Sequence, residues 1–89
     1  MHFGQALEEM KLGNNVRRMG WNGEGIFLAL QTPDENSLMT QPYIYIDTHG
    51  LITKNENAPK GRVPWLASQT DMLAEDWEVV TDECYRRLQ

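Results

Sequence analysis

The longest uninterrupted apolar run in the chain is five residues, "IFLAL" from Ile26 to Leu30. A run of that length, opened by a glycine and closed by a polar stretch, is strand-sized, and its continuity implies that both faces of the strand are covered. The remaining apolar residues come in periodic patterns, so short strands and amphipathic elements must deliver them to one core. At 89 residues the chain makes a single domain, residues 1–89. A domain of this size buries only roughly 60 to 65% of the surface its unfolded chain exposes. Hollowing a ligand pocket of ~300 to 1,000 Å³ out of one such subunit would consume its core. A sizeable ligand therefore belongs between subunits.

Around the central run the periodicities alternate between helix and strand. Phe3, Ala6, Leu7 and Met10 fall at i, i+3, i+4 and i+7, with Gln5, Glu8, Glu9 and Lys11 on the opposite face; this predicts an N-terminal amphipathic helix that stops near Gly13. "VRRMGWNG", Val16 to Gly23, starts extended and breaks into a loop that carries Gly20, Gly23 and Gly25. "TPDENSLMTQP", Thr32 to Pro42, is a polar surface excursion and a candidate lid. "YIYIDT", Tyr43 to Thr48, puts Ile44 and Ile46 on one face and Tyr43 and Tyr45 on the other. It is expected to pair with "LIT", Leu51 to Thr53, through a turn at Gly50. In "PWLASQTDMLAEDWEVV" Ser68 caps a short second helix, with Asp71 reaching back as in a capping box and with Met72 and Leu73 packing inward. Trp77 to Val80 reads as a last strand with Trp77 and Val79 on one face. The fold class is α+β: a small antiparallel sheet with an N-terminal helix and a short second helix.

Forty per cent hydrophobic and 24% charged residues are ordinary globular values. A formal net charge of −5 opposes the phosphate-neutralising surface that nucleic acid needs. One cysteine, Cys84, and two histidines far apart, His2 and His49, give no intrachain disulfide and no metal set. The first eleven residues reach acidic positions quickly and lack an apolar core, which argues against a signal peptide or a membrane anchor. No nucleophile has a general base beside it, so no catalytic set emerges.

What remains is a set of binding candidates. Trp77, opening an alternating strand, is expected in the core. Trp21 stands in a glycine-flanked loop, where the ring is expected to be presented to a ligand instead of packed, and a presented indole stacks on a planar heterocycle. Trp65 is intermediate. The first turn at Ser68, Gln69, Thr70 and Asp71 offers free N–H groups and the positive end of a helix dipole to an anion. Asp71 competes for that cap, or else accepts bonds from sugar hydroxyls. Arg17 and Arg18 alternate across a strand, and Arg18, three residues from Trp21, is the one expected to face the site.

These residues look like those of a known family. "FGQALEEMKLGNNVRRMGWNGEGIFLAL", a "PYI" strand and "VPWLASQTDMLAEDWEVV" resemble the Thoeris anti-defence two family across roughly residues 3 to 80. The resemblance implies a non-enzymatic, cofactor-free phage protein in the host cytoplasm that sequesters glycocyclic ADP-ribose, a cyclic ADP-ribose isomer made by TIR-domain enzymes. It further implies a homotetramer with ligand pockets between subunits. The alternatives are a sponge for cyclic oligonucleotide signals of another defence system and a protein-interaction inhibitor. By motif position the resemblance assigns ligand contact to Trp21, Asn22, Gly23, Trp65, Ser68, Gln69, Thr70 and Asp71. Trp21 would be the adenine or ribose platform, the Ser68–Asp71 cap the pyrophosphate or ribose contact, and Arg18 the phosphate neutraliser. The sequence departs from the family pattern in "KNENAPKGR", Lys54 to Arg62, and after Val80.

Overall fold

The computed structural model describes residues 1–21, 25–50 and 60–81. Helix α1, Phe3–Lys11, has the predicted apolar face, with Ala6 and Met10 buried. Its ends are closed by side chain and glycine. His2 Nδ1 accepts the Gln5 N–H (3.2 Å) while Gln5 Oε1 accepts the His2 N–H (3.0 Å), a capping box made with histidine. At the other end the Gly13 N–H donates to Met10 C=O and the Asn14 N–H to Glu9 C=O, the paired bonds of a Schellman stop. That stop puts Gly13 at φ +93°, where an L side chain is strained.

Five strands follow: β1 Val16–Arg18, β2 Phe27–Gln31, β3 Tyr43–Asp47, β4 Arg62–Pro64 and β5 Trp77–Val79, with helix α2, Gln69–Leu73, between the last two. They form an antiparallel sheet in the order β4-β3-β2-β1-β5. The register sorts the side chains. Val16 lies opposite both Leu28 and Val79, Leu28 opposite Ile46, and Leu30 opposite Ile44. This face carries α1, and its core is Ala6, Met10, Val16, Leu28 and Trp77. On the other face Tyr45 lies opposite Ala29 and Pro64, and Tyr43 opposite Gln31. The isoleucine and tyrosine faces of β3 are thus the ones its alternation predicts.

One expectation changes, and another falls outside the described residues. The hairpin partner expected at Leu51–Thr53 lies outside the described residues, and the neighbour that β3 has on that side is the three-residue strand β4. Met72 and Leu73 do not pack inward; they are 39% and 78% exposed. Helix α2 is too short to bury a stripe of its own, and the space beneath it is filled by Ala74 and by the indole of Trp77, whose Nε1–H donates to Asp71 C=O (3.0 Å). The Thr32–Pro42 excursion is braced internally, since Asp34 Oδ1 accepts the Asn36 N–H and the Ser37 hydroxyl.

Candidate functional site

Trp77 sits at the centre of an aromatic cluster that gathers residues from four parts of the chain. Its ring centroid lies 5.3 Å from Phe3 of α1, 5.4 Å from Trp21 and 6.1 Å from Trp65. Both other indoles meet it edge to face, at 78° and 85°, which sets a positive ring edge on a negative ring face. Phe3 also reaches Trp65, at 5.9 Å. Trp65 is aimed by the sheet: its N–H donates to Ile44 C=O (2.9 Å), which extends the β3–β4 pairing by one residue.

Trp21 departs from the sequence expectation. It is half-buried and packed against the core, not presented free of it. The cause lies in the turn that leaves β1. The Met19 N–H donates to Asp76 C=O, the Gly20 N–H to Asp76 Oδ2 (2.8 Å) and the Trp21 N–H back to Arg18 C=O. These bonds fold the chain over Trp77. A Cβ on Gly20 would stand 2.8 Å from Asp76 Oδ2, so only glycine lets the carboxylate approach this closely.

Above the rings lies a polar network. Asp71 Oδ1 accepts from Arg18 Nη1 (2.8 Å) and from the Trp21 Nε1–H (3.2 Å), while Asp71 Oδ2 accepts the Ser68 hydroxyl (2.8 Å). Asp76 Oδ1 accepts from Arg18 Nε at 2.8 Å. For Asp71, burial pushes the carboxyl pKa up, but the bonds from Arg18, Ser68 and Trp21 outweigh it and hold the pKa below the usual carboxylate range. For Asp76 the Arg18 bond dominates and lowers the pKa against a smaller burial effect, helped by the Gly20 N–H. The Arg18 pKa is raised by the same two partners. One guanidinium between two carboxylates leaves the network with one negative charge in excess. The Arg18 charge is therefore balanced within the network, with Nε and Nη1 taken up by the two carboxylates.

Of the sequence candidates, Arg18, Trp21, Trp65, Ser68 and Asp71 come together here. Gln69 and Thr70 are exposed on the first turn of α2, and Asn22 and Gly23 lie outside the described residues. Ser68 is the N-cap, with its Oγ accepting the Asp71 N–H (3.1 Å), and Asp71 bonds back to that hydroxyl and not to the backbone. Arg17 turns to the other face, with Nε 3.4 Å from Glu78. Sequence reasoning missed Asp76 and Phe3. Phe3 was legible as core but not as a tryptophan neighbour, and Asp76 bonds to residues more than fifty positions away, which no local pattern reports.

The tyrosine face holds a separate cleft of about 150 Å³ lined by Gln31, Tyr43, Tyr45, Arg62, Val63 and Pro64. Arg62 is held there by Asp47, Nε to Oδ2 at 2.8 Å. A more open groove of about 510 Å³ runs beside it along Met39–Tyr43 and Pro64. Among the described residues no group of three or more His, Cys, Asp and Glu could hold a metal ion, and no helix is long and apolar enough to cross a membrane.

Comparison with known proteins bears on the whole of this architecture. The family model described as the Thoeris anti-defense 2-like domain matches residues 1–80, from α1 through β5. A protein named Thoeris anti-defense 2 from Bacillus phage SP01 is 40% identical over 85 residues, covering 91% of this chain and 96% of that protein.

Proposed function

The chain belongs to the Thoeris anti-defense 2-like family, and from that premise we propose that it is a phage anti-defence protein that binds and sequesters glycocyclic ADP-ribose without altering it. Bound signal is withheld from the Thoeris effector, in the cytoplasm of the infected host. The observation that carries this reading is that residues 1–80 match the family while Arg18, Trp21, Trp65, Ser68 and Asp71 converge on one surface. That surface offers what an ADP-ribose-type ligand needs: indole for the base, a carboxylate for ribose hydroxyls, and guanidinium and hydroxyl donors for phosphate. One subunit supplies only part of a site, because Trp21 and Trp65 turn their rings onto Trp77. The rest comes from neighbouring copies in a homotetramer with pockets between subunits. Nanomolar capture needs about −12 kcal/mol, within reach of a preorganised site and a ligand already restrained by its ring.

The test is incubation of the purified protein with glycocyclic ADP-ribose, removal of free ligand, heat denaturation and mass spectrometry of what is released. Intact ligand in near-stoichiometric amount is the expected result. A converted product makes the protein an enzyme, and an empty protein ends the sequestration reading. The tyrosine-face cleft favours the second reading, a protein-interaction inhibitor, which predicts a co-purifying protein and no bound small molecule.

A further inference from the structure

We infer that Asp76 is the positioning residue of the ligand site: it holds the turn that carries Trp21, and the orientation of that indole depends on it. The inference rests on the sequestration reading for its functional consequence but not for its structural content. Three contacts converge on this one residue. Its Oδ2 accepts the Gly20 N–H and its C=O accepts the Met19 N–H, so the chain leaving β1 is tied at two successive amides. Its Oδ1 takes Arg18 Nε at 2.8 Å, which fixes the guanidinium that in turn reaches Asp71. Asp71 accepts the Trp21 Nε1–H. The indole is thus held at both ends, through its backbone by the Asp76 turn and through its N–H by a carboxylate that Asp76 helps to place.

Two further facts separate this role from general surface pairing. Asp76 immediately precedes Trp77, so the residue that fixes the Trp21 turn is covalently joined to the ring that Trp21 packs on, and turn and ring floor share one frame. The space at Gly20 is also set by this carboxylate, since a Cβ would stand 2.8 Å from Oδ2 while the backbone there has no positive φ. A Cβ at position 20 therefore disturbs the Asp76 contact, while Arg18 Nη2 stands at an ordinary 3.8 Å. Supporting residues of this kind keep a site within the ~0.5 Å that productive geometry demands.

The experiment uses the purified full chain. Indole N–H resonances of Trp21 and Trp77 are followed by ¹H–¹⁵N NMR without ligand, and affinity for glycocyclic ADP-ribose is measured by calorimetry. In Asp76→Ala and in Gly20→Ala the Trp21 indole resonance is expected to move while that of Trp77 keeps its dispersion, and affinity falls at least tenfold. The double variant is expected to lose no more than Asp76→Ala alone, because the Cβ then has no carboxylate to displace. A folded Asp76→Ala protein with an unmoved Trp21 resonance overturns the inference, as does a double variant whose loss is the product of the two single losses. If Asp76→Ala does not fold, Gly20→Ala decides by the same readouts. If the wild-type protein does not bind the ligand, the sequestration reading fails while the indole shifts still decide the role of Asp76.

Discussion

Trp77 and Trp21 are both tryptophans of one cluster, yet they differ in what their loss should do. Trp77 is 2% exposed and meets three other rings. Trp77→Ala should cost ~3 to 5 kcal/mol in urea unfolding; a loss under 1 kcal/mol would remove it from the centre of the core. Trp21 is half-buried and gives up one edge-to-face contact and one hydrogen bond, so Trp21→Ala should cost about 1 to 2 kcal/mol and abolish ligand capture. Full capture by that variant would place the ligand elsewhere. The Arg18 network makes a third statement, about pH. Asp71 and Asp76 have folded-state pKa values below their unfolded ones. The stability they contribute is therefore complete above about pH 4 and is lost as the pH falls through the depressed values. Arg18→Gln removes the cause of the depression. It should lower stability at pH 7 by about 1 to 3 kcal/mol and flatten the fall below about pH 4, leaving chiefly the part due to Asp47 and its Arg62 and His49 partners. An unchanged slope in urea titrations at several acid pH values would show that the pairing does not bear on folding.

At the level of elements, the features that were legible in the sequence were those whose cause is local. Helix α1 follows from its i, i+3, i+4, i+7 stripe and its stop at Gly13. The two faces of β3 follow from alternation, and the α2 cap from Ser68 three residues before Asp71. Strand β4 was not legible. Three residues ending in proline carry no periodicity, and what makes Arg62–Pro64 a strand is the edge of β3 that it meets, fifteen positions back for Asp47 and Arg62 and nineteen for Tyr45 and Pro64. Trp21 misled for a related reason, because its glycine-rich neighbourhood reads as open loop while the partners that close it, Asp71, Asp76 and Trp77, lie fifty or more residues on. Met72 and Leu73 misled because apolar character alone does not say that a five-residue helix has an inner face. The local causes are testable. Gly13→Ala places a Cβ at φ +93° and should destabilise by about 1 kcal/mol in thermal or urea unfolding; no loss would mean that the stop tolerates an ordinary residue.

For the whole molecule the decisive quantity is the mismatch between a thin subunit and the ligand proposed for it. Leu66, just before α2, and Leu73, at its last position, are 92% and 78% exposed. Leucine so exposed is unremarkable singly, but under the proposed assembly these two are the apolar groups by which a neighbouring copy would dock beside the site. If subunits meet there, the pair Leu66→Glu and Leu73→Glu removes apolar area from the contact and adds like charge on both sides of it, without touching the core of either subunit. The expected outcome by light scattering after size exclusion is a tetramer for the wild-type protein and a smaller species for the double variant. Its helical signal by circular dichroism should be retained, and capture of glycocyclic ADP-ribose should fall in step with the loss of assembly. A double variant that remains tetrameric and still captures the ligand would move the subunit contact away from α2. A wild-type protein that is monomeric at micromolar concentration would leave the ligand without the second wall that its size requires.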